Sequence, residues 1–290
     1  MTLLEEVYPT AGVDITSFAD DEYTKIEADL HTYTKDYRNG TSYKDVYYAD
    51  STNGWFTDAD EYNELKKKML KSVYQNGGFW VGRYEAGIQV NRTEEGNATT
   101  IPLSKENLYP YTWVTRTQAK ILAEQVESGS HTSSLMFGVQ WDLVLKYIES
   151  KNPAQKSNLL TDSTTIGNYY KSGRKLVRGQ YASITDLSNW KKYNENLDNN
   201  VNNGALVTGN SAIPTLITTG ASDETKLQNI YDIAGNVWEW TLEKTSNDTN
   251  PCANRGCDCH GNGSSFPASI RYDFDSSGSG YGVGFRLSLY

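Results

Sequence analysis

A chain of 290 residues with 37% hydrophobic and 12% aromatic residues has enough apolar mass for one large core or two modest ones. Its formal charge of -9 disfavours binding to nucleic-acid phosphates, and the basic cluster Lys66, Lys67 and Lys68 reads as a solvated helix face. No window approaches a membrane span, and the N-terminal MTLLEEVYPTAGVD lacks the basic and apolar regions of a signal peptide.

Residues 1 to 56 are rich in Tyr and Asp with weak periodicity. Tyr33, Tyr37, Tyr43, Tyr47 and Tyr48 could pack across a small sheet or coat a main domain, so this stretch is read as an extension packed on residues 57–290. The first strong element is a helix over 57–75. Thr57 and Asp60 close its first turn, Tyr62, Leu65, Met69 and Val73 repeat at helical spacing, and Asn76, Gly77 and Gly78 stop it. FWVGRY at 79–84 alternates in strand fashion. A second helix starts at Thr115, with Gln118 completing a capping box and Ala119, Leu122 and Val126 as the inward stripe. A third covers 139–150 with Trp141, Val144, Leu145 and Ile148 inward. From Lys151 to Ala212 the chain reads as loop, and 194–204 has too little apolar surface to pack itself. A short strand over 211–219, a structured block over 229–241 and a terminal strand carrying Phe285, Leu287 and Leu289 complete the order. Early helices followed by irregular segments around short strands give an α+β class.

Two features of the C-terminal part stand out. Residues 251–290 contain no Lys, Glu, Gln, Trp or Met, where about seven are expected from the whole-chain composition. The three cysteines, Cys252, Cys257 and Cys259, fall within eight residues there, and their odd number argues against a disulfide framework. Cys259 and His260 are also of metal-ligand type. In NIYDIAGNVWEWT, Gly235 permits a backbone position closed to other residues, and Trp238 and Trp240 face one side of a strand with Glu239 on the other. Asp232 and Glu239 supply hard oxygen donors that intervening carbonyls could complete as a cation site. The alternative is a tight turn before a core strand, with both acids solvated.

At this point the sequence resembles the formylglycine-generating-enzyme (sulfatase-modifying-factor) family, which has a variant of the C-type lectin fold. The resemblance rests on GGFWVGRYEAG at 77–87, the helix from Thr115, the helix around Trp141, NIYDIAGNVWEWT, Asn254-Arg255-Gly256, Arg271 and Gly284-Phe285-Arg286, in that order. It covers about residues 75–290. It implies a structural calcium held by the Asp232 and Glu239 side chains and the Gly235 and Val237 carbonyls. It also offers an alternative function, a cysteine oxidase using a late cysteine pair. That catalytic pattern is absent: the family's second cysteine falls near the later arginine, where this chain has Tyr272 and Phe274 around Arg271. The chain is therefore expected not to be an enzyme.

A different branch accounts for the missing residue types. The tail is similar to the variable proteins of diversity-generating retroelements, in which asparagine codons of a template are mutated at adenines. The resulting codons end in C or T and cannot encode Lys, Glu, Gln, Trp or Met. The resemblance implies a variable region at about 255–286. Arg255, Gly256, Gly263, Ser264, Ser265, Pro267, Ala268, Arg271, Gly284, Phe285 and Arg286 look like its scaffold. The expected binding positions are Cys257, Asp258, Cys259, His260, Phe266, Ile270, Tyr272, Asp273, Phe274, Asp275, Gly278, Gly280, Tyr281 and Gly282. They would crowd one exposed face, with Tyr272, Phe274 and Tyr281 as rigid aromatic anchors, whereas Phe285 and Trp238 read as core. As a strand, RYDFD would separate Tyr272 and Phe274 from Asp273 and Asp275; as a loop it could present all four. The expected partner is a protein or glycan on a virion or microbial cell surface, with no nucleic acid and no membrane insertion; the oligomeric state is left open, a monomer being one of the alternatives.

Overall fold

The computed structural model describes residues 19–38, 42–194, 200–201 and 213–290. It is a mixed α+β fold whose helices pack around small sheets. Helix α1 (Asp20–Tyr33) buries Ile26 and Leu30, one turn apart, and packs on α2 (Ala59–Asn76) and on α4 (Gly138–Lys151). Helix α1 is not among the elements expected from the sequence, because Ala19 offers no capping side chain and the helix buries few apolar residues; its start is held by Glu22, whose Oε2 accepts from Ala19 N at 2.9 Å. In α2 the cap is Asp58, whose Oδ1 accepts from Glu61 N at 2.9 Å. Thr57 N donates to Glu61 Oε2 at 2.7 Å, so the first turn is closed by Asp58 and Glu61 rather than by Thr57 and Asp60. Gly77 ends the helix at φ 74°, a left-handed position that costs glycine nothing.

Helix α3 (Arg116–Glu124) begins with the expected capping box. Gln118 N donates to Thr115 Oγ1 at 3.2 Å and Thr115 N to Gln118 Oε1 at 3.0 Å. Helix α4 is buried nearly all round, including Trp141, Val144, Leu145 and Ile148. Gly138 starts it because a Cβ there would lie 2.3 Å from the Glu243 carboxylate. The stretch read as loop also contains α5 (Gln155–Leu160) and the strand Gln180–Ser183, which pairs with Thr215–Ile217. The expected strand over 211–219 is thus Thr215–Ile217 within the described residues; 211 and 212 lie outside them, as does most of 194–204.

The main sheet positions the site. Its long strand, Trp238–Thr245, pairs antiparallel with Tyr43–Lys44 and with Cys252–Arg255, and parallel with Val283–Phe285. Arg271–Phe274 adds to the outer side of Cys252–Arg255. A second sheet centres Leu287–Leu289 between Trp80–Val81 and Ser133–Leu135. Residues 42–56 join the same body: Tyr43 and Lys44 extend the main sheet, and Trp55 and Phe56 enter the main core beside Tyr62. No helix among the described residues is long and apolar enough to cross a membrane.

Candidate functional site

The two faces of the main sheet differ in chemistry. One is locked by charge. Asp142 of α4 accepts from Arg255 Nη2 at 2.9 Å and from Arg271 Nη2 at 2.6 Å. Glu243 accepts from Arg271 Nε at 2.9 Å, and Arg255 Nη1 lies 3.6 Å from it. All four side chains are buried. Burial pulls Arg255 down to about 10, helped by the neighbouring Arg271. Burial also raises Glu243, against the attraction of Arg271 and Arg255. Such a network fixes the strands Cys252–Arg255 and Arg271–Phe274 from below.

The opposite face is aromatic. Cross-strand register places Trp240 opposite Asn254, Asn254 opposite Tyr272, and Cys252 opposite Phe274. Directly opposed residues share a face. Tyr272 stacks on Trp238 with centroids 5.2 Å apart and planes at 30°. Phe266 meets Trp238 edge-on at 5.9 Å and Tyr272 edge-on at 6.0 Å. Tyr272 is 45% exposed, while Trp238 and Phe266 are half-buried. Trp238 therefore belongs to this surface cluster, and Trp240 is the core tryptophan: it is buried, donates from Nε1 to Val114 O at 2.9 Å and meets Phe274 at 5.3 Å. The side-chain amide of Asn254 lies buried between Trp240 and Tyr272 in register, with neither its nitrogen nor its oxygen hydrogen-bonded. Neither Trp238 nor Asn254 stands among the expected binding positions. The signal available for Trp238 was its alternation with Trp240 at the strand end.

The other expected positions divide by burial. His260 and Asp275 are exposed; Asp258, Ile270, Asp273, Phe274, Gly278, Gly280 and Tyr281 are half-buried. RYDF forms a strand, so Asp273 leaves the Tyr272 face and accepts from Tyr43 Oη at 2.7 Å. Gly278 lies against Phe274, where a Cβ would come within 2.4 Å of the ring. Burial pushes the Tyr281 hydroxyl up to about 12, with Asp258 adding to the effect. Asp275 accepts from Ser277 N and Oγ, which hold its carboxyl below the ordinary range.

Three expected face residues are not on the surface. Cys257, Cys259 and Gly282 are buried. Cys257 sits at φ 69° in the main core, and Cys259 packs with Leu216 and Val237. They behave as small hydrophobes, as buried free cysteines commonly do. Gly282 is held beneath Asp258, whose Oδ2 would lie 2.4 Å from a Cβ. Burial raises all three thiols, Cys252 to about 11. Cys259 is also separated from metal chemistry at His260, since one is buried in an apolar cluster and the other faces solvent.

The ligand set expected for calcium does not fit. Arg286 closes the Glu239 carboxylate, with Nη2 at 2.6 Å from Oε1 and Nε at 3.0 Å from Oε2. A dication there would have to displace a buried guanidinium. Asp232 Oδ2 accepts from Gly220 N at 2.9 Å, and its Oδ1 has no partner. Gly235 is fixed by close packing, since a Cβ would lie 2.4 Å from Asn168 O, and Val237 is buried beside Cys259. The neighbouring acid overlooked in the sequence is Glu85. It is buried, accepts from Asn236 Nδ2 at 2.7 Å and leaves Oε1 without a partner. Elsewhere, Glu27, His31 and Asp45 each bring one ligand atom within 4.8 Å of the others, a cluster that could hold a metal ion.

No family model matches the chain, and no curated protein matches it. Among solved structures, one titled "Crystal Structure of CarF" aligns over 72% of this chain and 85% of its own, with 12% identity and a TM-score of 0.44. A likeness of that degree carries no argument about fold family or function.

Proposed function

We propose that the protein is a non-catalytic recognition protein. In this reading it is a C-type-lectin-like scaffold of the formylglycine-generating-enzyme type, and its retroelement-diversified tail binds a protein or glycan on a virion or microbial cell surface. The observation that carries it is the half-exposed cluster of Trp238, Phe266 and Tyr272 above a sheet whose other face is pinned by Asp142, Glu243, Arg255 and Arg271. Rigid aromatics supply contact area at low entropy cost, and a rigid platform preserves that advantage when neighbouring positions change. The absence of Lys, Glu, Gln, Trp and Met from 251–290 supports diversification from asparagine codons. Against cysteine oxidation stands the burial of Cys252, Cys257 and Cys259, because an oxidase needs a reachable thiolate.

Arrays of glycans and of cell-surface proteins, probed with the full chain and with Phe266→Ala/Tyr272→Ala, test the reading. The expected result is a discrete set of ligands bound by the wild type and lost in the folded variant. Equal profiles for the two proteins would refute a recognition role for this face. Incubation with a cysteine-containing sulfatase peptide, copper and reductant should yield no aldehyde by mass spectrometry; aldehyde formation would restore the oxidase reading.

A further inference from the structure

We propose that Glu27, His31 and Asp45 form a binding site for a borderline divalent cation of the zinc type. The site is independent of the aromatic face and of the Asp232 region. Glu27 and His31 lie one turn apart on α1, so both side chains emerge on the same side of that helix. Asp45 follows the Tyr43–Lys44 strand and is buried, with Oδ1 accepting from Gly138 N at 2.7 Å and Oδ2 from Val139 N at 2.9 Å. Those two bonds orient the carboxylate and leave each oxygen a further lone pair.

His31 Nε2 points to a ligand. It is a buried ring nitrogen with no hydrogen-bond partner, 3.9 Å from Glu27 Oε1. The cluster opens into a cavity of about 350 Å³ that also receives Arg38, Tyr43 and Lys66. Water entering it could complete the coordination of an ion held by three protein ligands. One imidazole nitrogen with two carboxylates suits zinc or a neighbouring transition metal better than calcium or magnesium, which take oxygen donors.

The competing cation is Lys66 of α2. Its Nζ lies 2.9 Å from Glu27 Oε2 and donates to Asp45 O at 2.9 Å. Arg38 lies on the rim but is directed to Asp142 at 3.4 Å and to Tyr43 O at 3.5 Å. A dication entering the cluster replaces the Lys66 ammonium on Glu27 and adds the unused imidazole. It thereby ties α1 to the Asp45 segment and, through Asp45, to the first turn of α4. The site is a staple for α1.

The test is calorimetric titration of the full chain with zinc, paired with hydrogen exchange of residues 20–33. The expected result is one ion per chain and slower exchange in α1 when zinc is added. His31→Gln should weaken binding by about tenfold or more and abolish the exchange effect, as loss of a direct ligand must. Lys66→Met should tighten binding, because it removes the competing charge. His260→Gln, which alters an exposed histidine, should leave binding unchanged. The proposal is overturned if the wild type takes up no zinc, if His31→Gln binds like the wild type, if Lys66→Met fails to tighten binding, or if His260→Gln abolishes uptake.

Discussion

Replacing Tyr272 with Ala separates a recognition surface from a core. Truncating a fully buried aromatic costs about 3–5 kcal/mol. Tyr272 is 45% exposed, and its main contact is the stack on Trp238 at 5.2 Å. With about half of the side chain covered, Tyr272→Ala should cost about 1–2 kcal/mol, of which the ring pair supplies about 0.5–1.5 kcal/mol. Guanidinium denaturation of Tyr272→Ala, Trp238→Ala and the double variant gives that coupling directly. Trp240→Ala is the internal standard. Trp240 is 1% exposed and hydrogen-bonded to Val114 O, and its loss should cost about 3–5 kcal/mol. Once a ligand is known, Tyr272→Ala should weaken binding by about 2 kcal/mol while Trp240→Ala acts through stability. If Tyr272→Ala destabilises as much as Trp240→Ala, the tyrosine is a core wedge and the surface argument fails.

Three further outcomes follow from buried charge. The Arg116 guanidinium is buried with no hydrogen-bond partner, its Cζ lying 3.8 Å from the Trp55 ring centroid and 4.5 Å from that of Tyr48. Arg116→Met keeps a flexible apolar filler between the rings and removes the desolvation penalty, so chemical denaturation should show a gain of about 1–3 kcal/mol; a loss would mean that the cation–ring contacts dominate. Asp142→Asn leaves Arg255 and Arg271 short of their shared anion and should cost about 3–5 kcal/mol in the same assay; a cost below about 1 kcal/mol would show that the charge network does not hold the sheet. Glu85 titrates above the ordinary carboxylate range, because of burial first and then Asp232 and Glu239. Its folded pKa exceeds its unfolded one, so the unfolded chain loses the proton first and stability falls as pH rises from the ordinary carboxylate range towards the raised value. Glu85→Gln should therefore stabilise at pH 7 and have little effect near pH 4, read from melting temperatures at both; an equal effect at both pH values would contradict the assignment.

Local signals made part of this fold legible. Helices α2, α3 and α4 carry apolar repeats long enough to read, and the Thr115–Gln118 box announced its helix directly. Helix α1 was hidden because Ala19 lacks a capping side chain and its buried apolar residues, Ile26 and Leu30, are too few to show a repeat. The many two- and three-residue strands are set by distant partners, such as Leu287–Leu289 between Trp80–Val81 and Ser133–Leu135, and no local pattern encodes them. At the site, Tyr272 was readable as an exposed aromatic. The burial of Cys257 and Cys259 was not, since small residues suit a tight core and a variable loop equally well. Arg286 closing Glu239 was equally hidden, because the two residues are 47 positions apart.

The proposed diversification of one face on a fixed scaffold would leave its record at the nucleotide level. The locus should be sequenced together with many individual copies of the gene. The expected result is a nearby near-copy of the segment encoding about 255–286, differing from it at template adenines. Substitutions should concentrate at solvent-reaching positions such as His260, Phe266, Tyr272 and Asp275 and spare the buried Arg255, Arg271 and Arg286. Absence of such a near-copy, together with substitutions spread evenly over buried and exposed codons, would contradict it.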